Sequence, residues 1–337
     1  MKIVFNSTYK NAASMICIDD LSKKFLANGD QVFFNDWRGY EKYDIAIFMS
    51  PDSDVENAKK INPKIICGIM DPKLNTRRKL KESTMADFLG VSSIEQRDAF
   101  LKYNPNIFIY YMFPETPEIH KQHSDKEKIV IGYHGNKLHL HCMKNLNLAL
   151  DALSEKYPIE LWSIYNIHGL GRWRFNLPRK CPVKHIQWTR DVYEKELSQC
   201  DIGVIPAIVP INEGITKITS RFISSFFYNW PGYYKHDYII RFKYSTNPGR
   251  AYVFSQLGIP IVAEFLPSYS QIIQDNHSGF LVYSREGWYN ALETLIKDAQ
   301  IRQKMAENLK NHINSTISPD ITFKKFLDFL NSIIIKY

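Results

Sequence analysis

The chain has only five cysteines, at positions 17, 67, 142, 181 and 200, and no two of them form a CxxC pair. A scattered, odd set argues against a disulfide framework or a zinc site, so a reducing cytoplasm is the expected compartment. No apolar run approaches the roughly 18–20 residues of a membrane-spanning helix. The opening MKIVFNSTYKN starts directly on a strand, without the apolar core of a signal peptide. A soluble or peripheral protein is expected. Two nucleotide fingerprints are also missing. No GxGxxG follows the first strand and there is no Walker A sequence, which leaves a dinucleotide oxidoreductase with little support. Acid is the scarcer charge, with 35 Asp and Glu against 43 Lys and Arg, a net charge of +8. That balance favours anionic partners: nucleotides, nucleic acid or an anionic membrane surface.

What is present is ordinary globular material, 45% hydrophobic and 23% charged. At 337 residues the chain is longer than a single core usually grows, which predicts two domains. In the first half, short apolar runs alternate with helical periodicity. Strands are predicted at Lys2 to Asn6, Gln31 to Phe34, Asp44 to Met49, Lys64 to Met70, Gly90 to Ser92 and Ile107 to Met112. Helices are predicted at Ala12 to Ala27, Val55 to Ile61 and Ile94 to Tyr103. Such alternation implies a parallel sheet covered on both faces. Ligands of such sheets lie beyond the carboxyl ends of the strands. That rule selects Ser7–Asn11, Ser50–Asp52, Asp71–Lys73 and Ser92-Ser93. Asp71 directly follows a buried strand and is the carboxylate of interest, although Asp before Pro is also a common turn residue.

Residues 113–128, FPETPEIHKQHSDKEK, read as a linker. The predicted organisation is an N-terminal domain over 1–116, a linker over 117–128 and a second domain over 129–320. A C-terminal helix over 321–337 is expected to pack back toward the first domain. The second domain repeats the β–α–β order from the strand IVIGYHGN onward. His139 and His141, two apart, would share one face of a strand, but the sequence nominates no third ligand and no metal is expected. The turn itself is more useful: Gly135 permits close backbone approach, while Asn136 and Lys137 can meet phosphate or sugar oxygens.

Residues 217–243 carry five basic side chains against one acid, interleaved with nine aromatics that include Phe226, Phe227, Trp230, Tyr233 and Tyr234. This pattern suits an anionic bilayer interface or a lipid-linked acceptor. It equally suits plain packing within the domain; nucleic acid is the least favoured partner. The following stretch, STNPGRAYVFSQLGIPIVAE over 245–264, reads as a polar turn, a short helix and a buried strand. A loop running into a helix in this way offers unpaired N–H groups to an anion, with Arg250 beside them.

The ordered set IGYHGN (131–136), GIPIVA (258–263), SYSQIIQDNHSGFLV (268–282), WYNALETLIKD (288–298) and IRQKMAENLKNH (301–312) resembles the donor half of nucleotide-sugar glycosyltransferases of the GT-B fold. The resemblance is strongest to the retaining group called family 4. It implies an α/β architecture with two Rossmann-like domains facing each other across a cleft. A nucleotide sugar would be co-substrate, with no metal or other cofactor, and the acceptor a cell-surface polysaccharide, a lipopolysaccharide or a lipid-linked glycan. The implied donor-binding residues are Gly132, His134, Gly135, Asn136, Lys137, Ser245, Thr246, Asn247, Arg250 and Tyr269. Family 4 members usually carry two glutamates eight positions apart, which would fall at about Ser245 and Val253, and both are absent. The remaining candidate catalytic carboxylates are Glu213, Glu264 and Asp71. A GT-B-shaped binding protein without turnover and a nucleotide-sugar 2-epimerase stay open as alternatives.

Overall fold

A computed structural model describes residues 1–8, 12–73, 76–210, 240–242 and 247–335. The chain divides into two compact units. The first comprises Met1–Glu115, Tyr244–Gly249 and Thr316–Tyr337; the second comprises Thr116–Lys243 and Arg250–Ser315.

The first unit is built on six parallel strands: β1 (Lys2–Asn6), β2 (Gln31–Phe34), β3 (Ile45–Met49), β4 (Ile66–Met70), β5 (Phe88–Val91) and β6 (Ile107–Ile109). They lie in the order β2-β1-β3-β4-β5-β6. The central strands are apolar on both faces because both faces are buried. Ile3, Phe5, Ile45, Ile47 and Met49 face one core, while Val4, Ala46 and Phe48 face the other. The helix Pro319–Ile334 supplies Phe326, Leu330 and Ile333 to the first of these cores. Phe326 is fully buried, its ring against Phe25, Phe88, Phe108 and Tyr110 at centroid distances of 6.3, 5.8, 5.2 and 5.5 Å.

Two elements differ from the sequence reading. The helix predicted from Ala12 to Ala27 contains a π-helical segment, Met15–Asp20, before Leu21–Ala27 resumes α geometry. A helix not predicted, Arg77–Met85, begins at Thr76, whose side chain accepts the Lys79 N–H at 3.3 Å. Few apolar residues mark it, so the cap was its one sequence signal.

The second unit repeats the plan with β7 (Ile129–His134), β8 (Ile159–Tyr165), β9 (Val183–Gln187), β10 (Ile202–Ile205), β13 (Ile261–Glu264) and β14 (Phe280–Val282). These six are parallel, in the order β14-β13-β10-β7-β8-β9. Between β10 and β13, a short antiparallel pair joins β11 (Ile208–Pro210) to β12 (Ile240–Phe242). The sheet's core is closed by Leu146, Leu150 and Leu153 of helix Lys144–Ser154 and by Trp288, Leu292 and Leu295 of helix Arg285–Lys297. Among the described residues no helix is long and apolar enough to cross a membrane.

Candidate functional site

In the second unit the carboxyl ends of β7 and β10 meet the helix Gly249–Gln256, through His134 against Phe254 and Pro206 against Arg250. That helix stops at Gly258, whose φ of +67° suits a glycine at the C-terminal cap, and the chain then enters β13. Arg250 is its second residue. The guanidinium Nη1 donates to the Pro206 carbonyl at 2.9 Å, and the guanidinium carbon lies 5.9 Å from the Tyr133 ring centroid. The other end of the same peptide unit, the Ala207 N–H, donates to the Glu264 carboxylate at 2.9 Å. A trans peptide points its C=O and N–H in opposite directions, so one peptide just past β10 holds a cation on one side and a carboxylate on the other. Glu264 is 4% exposed. It borders a small cavity with Cys142, Met143, Asn145, Leu146, Pro206 and Trp288.

The turn after β7 meets Arg250 directly. Gly135 has φ +140°, and a Cβ placed there would stand 3.0 Å from the Tyr133 hydroxyl and 3.4 Å from the Arg250 Cδ. The positive φ is what calls for a glycine here, while the approach to Arg250 is ordinary van der Waals contact. The turn is braced by the Tyr133 hydroxyl, which donates to the Asn136 carbonyl at 2.7 Å. Asn136 itself caps the helix Lys137–Cys142, accepting the Leu138 N–H at 2.9 Å.

His134 ends β7 and is buried between Tyr193, stacked at 5.9 Å, and Phe254, edge-on at 5.1 Å. Burial, with the Arg250 charge adding to it, lowers its pKa to about 3, against the opposing effect of a hydrogen bond that the ring donates to the Arg250 backbone. The imidazole is therefore neutral at pH 7. Its Nε2 is buried and bonds to none of the described residues.

The sign of the resulting pH dependence is fixed. An unfolded histidine near 6.5 takes a proton that the folded one refuses, so this contribution to stability is complete above pH 6.5 and falls as pH drops from 6.5 toward 3. At pH 5 the loss is about 2 kcal/mol. His134→Gln is expected to flatten this part of a thermal-stability profile between pH 6.5 and 4. A mutant profile parallel to that of the parent would contradict the assignment.

The other expected donor residues fall in different places. Gly132 lies within β7, paired with Gly203 and Trp162, rather than in the turn. A Cβ there would meet Cys200 Sγ at 2.7 Å. Gly132→Ala is thus expected to cost about 1–3 kcal/mol by overpacking while leaving nucleotide affinity unchanged, readable by denaturant unfolding beside a binding titration. Lys137 is buried, its ammonium bonded to the carbonyls of Leu170 and Gly171. Tyr269 is fully buried on the short helix Pro267–Ser270 and adds to the burial that pushes up the Tyr133 phenol. His139 and His141 sit on the helix Lys137–Cys142 rather than on a strand. Among the described residues no three His, Cys, Asp or Glu side chains gather as a metal site. Ser245, Thr246, Glu213, Phe226, Phe227, Trp230, Tyr233 and Tyr234 lie outside the described residues.

The first unit holds the remaining two candidates. Asn247 is bound both ways to Met112, accepting its N–H at 3.1 Å and donating to its carbonyl at 2.7 Å. Asp71 follows β4 with φ +50°, an uncommon backbone state for a residue other than glycine. Its carboxylate accepts from Lys73 at 2.8 Å and from Gln96 at 3.2 Å, while its N–H donates to the Gly90 carbonyl at 2.8 Å. Backbone strain at a strand's carboxyl end is often found at functional positions. Across the same edge, Asp52 accepts from the Ser7 hydroxyl and from Thr8.

No family model matches the chain, and no curated protein matches it either. Solved structures do. HepE of Anabaena, in complex with UDP and glucose, is similar with a TM-score of 0.60 at 14% identity, over 98% of this chain and 100% of that one. Sucrose-phosphate synthase of Thermosynechococcus elongatus is similar with a TM-score of 0.65 at 10% identity, over 100% of both chains. A mutant TarM of S. aureus, in complex with Fondaparinux, alpha-GlcNAc-glycerol and UDP, has a TM-score of 0.56 at 12% identity, over 85% of this chain and 55% of that one. The chain has the GT-B fold. The α/β class expected from the sequence is thereby established, as are the two six-stranded parallel sheets. Within this GT-B chain, the constellation reached most fully by sequence reasoning is His134, Gly135 and Arg250. The Pro206–Ala207 peptide that links Arg250 to Glu264 was missed, because it contributes only backbone atoms.

Proposed function

We propose that the chain is a glycosyltransferase that moves a sugar from a nucleotide-sugar donor to a glycan acceptor. The observation that carries this reading is Arg250, a half-exposed cation in the first turn of a helix, closed upon by the glycine turn after β7. Helix N–H groups, a forked guanidinium and close backbone approach together make a seat for a diphosphate. The likeness in fold to HepE with UDP and glucose makes a uridine nucleotide the first donor to test.

In the reaction, the bond between the anomeric carbon and the diphosphate oxygen breaks, its electron pair leaving with the phosphate. The acceptor hydroxyl oxygen forms the new bond and releases one proton. Arg250 contributes by holding the negative charge that develops on the leaving diphosphate. One such donor is worth about 3–4 kcal/mol of barrier by analogy with other oxyanion sites. Glu264 and Asp71 are the carboxylates assigned to substrate hydroxyls, each at the carboxyl end of a strand. The acceptor class proposed is a cell-surface polysaccharide, a lipopolysaccharide or a lipid-linked glycan, in keeping with the basic and aromatic composition of residues 217–243.

Release of UDP from UDP-sugars, followed with and without an acceptor panel, tests the reading. Acceptor-stimulated release is expected. Nucleotide binding without any transfer would replace the transferase by a binding protein.

A further inference from the structure

A second surface of the second unit is built from one kind of chemistry. The helix Ala299–Thr316 and the turn 274–277 enclose an open groove of about 600 Å³ lined by Gln274, His277, Asn308, Asn311, His312, Asn314 and Ser315. Among the described residues no carboxylate, ammonium, guanidinium or aliphatic side chain lines it. Asn308, Asn311, His312 and Ser315 recur at i, i+3, i+4 and i+7, one stripe of the helix beside the buried face of Met305, Leu309 and Ile313. Asparagine is among the poorer helix formers, and a solvated helix face ordinarily carries Lys, Glu or Gln. Three asparagines in seven consecutive helical positions run against local preference, and such conflicts concentrate at functional surfaces.

The two walls are tied together. Asn308 of the helix donates to the His277 carbonyl of the turn at 2.9 Å, and the turn is held within itself by the Gln274 N–H, which donates to the buried Ser278 hydroxyl at 2.9 Å. The side-chain amides of Gln274 and Asn311 make no hydrogen bond to a described residue.

The geometry points to a binding groove for a neutral glycan chain, separate from the Arg250 site. An amide presents an acceptor and two donors on one rigid plane, which matches a vicinal pair of sugar hydroxyls. Among the described residues the lining has no lysine or arginine for phosphate or sulfate, no carboxylate for a metal and no aliphatic side chain for a lipid tail, and its two imidazoles can pair with hydroxyls as the amides do. A polyhydroxylated, uncharged ligand is what remains. The inference stands on the groove alone and does not depend on the donor reading.

Side-chain amide signals of the full-length protein, followed by NMR during titration with maltohexaose, cellohexaose, mannohexaose or chitohexaose, test it. At least one probe is expected to shift the Asn308, Asn311 and Asn314 amides, with a dissociation constant on the order of 1 mM. The double variant Gln274→Ala with Asn311→Ala is expected to weaken that binding at least about 5-fold. Its melting temperature should be no lower than the parent's, since alanine favours the helix. Adding UDP to the same samples separates this groove from the Arg250 site, because UDP binding should be unchanged in the variant. No shift at these amides with any of the four probes overturns the proposal, as does an equal shift in the double variant. Dextran sulfate shifting the same amides more strongly than the neutral probes would also overturn it.

Discussion

Arg250→Ala is expected to weaken UDP binding about 30-fold in a calorimetric titration. Hydrogen bonds to a charged group are worth about 1.5–3 kcal/mol each, and 2 kcal/mol corresponds to that factor. Arg250→Lys should recover only part of the loss, because an ammonium keeps the charge without the planar fork. The apo fold should lose far less, since among the described residues the guanidinium gives up one hydrogen bond, to the Pro206 carbonyl. Unchanged UDP affinity in Arg250→Ala, with the fold intact, would remove the cation from the diphosphate seat.

Phe326→Ala carries the largest expected effect on stability, about 3–5 kcal/mol. The ring is fully buried in the first unit, packed against side chains from Phe25, β5, β6 and Tyr110. A chain of two units does not promise a single unfolding transition, so native-state hydrogen exchange at β1 and β3 is the better reading. Exchange of those amides should speed up by roughly 150- to 5,000-fold, the factor to which that energy corresponds. A change smaller than tenfold would mean that helix Pro319–Ile334 contributes little to that core.

These two residues also show how differently the sequence exposes its content. Strands β3 and β4 were legible as IAIFM and ICGIM because a strand buried on both faces has no polar alternation to obscure it. Phe326 was readable as part of an amphipathic helix. Its partners Phe25, Phe88 and Phe108 were not, since they lie 301, 238 and 218 positions away. Arg250 and Gly135 were legible because loop-to-helix and strand-to-turn patterns are local. What holds them was not. The link from Arg250 through Pro206–Ala207 to Glu264 depends on a backbone unit with no distinctive side chain. Gly132 looked like part of the turn, but its missing side chain serves packing against Cys200. Lys137 looked like a phosphate ligand, yet its ammonium is bonded to two carbonyls. A lysine next to a glycine turn gives no hint of which way its four-carbon stem will run.

The central claim is that a nucleotide diphosphate sits between Arg250 and the Gly135 turn. Crystals of the protein grown with UDP test it most directly. Diphosphate oxygens are expected about 2.7–2.9 Å from the Arg250 guanidinium, with the Gly135 backbone alongside. A fully occupied UDP whose phosphates lie elsewhere, with Arg250 still turned only onto Pro206, would contradict it.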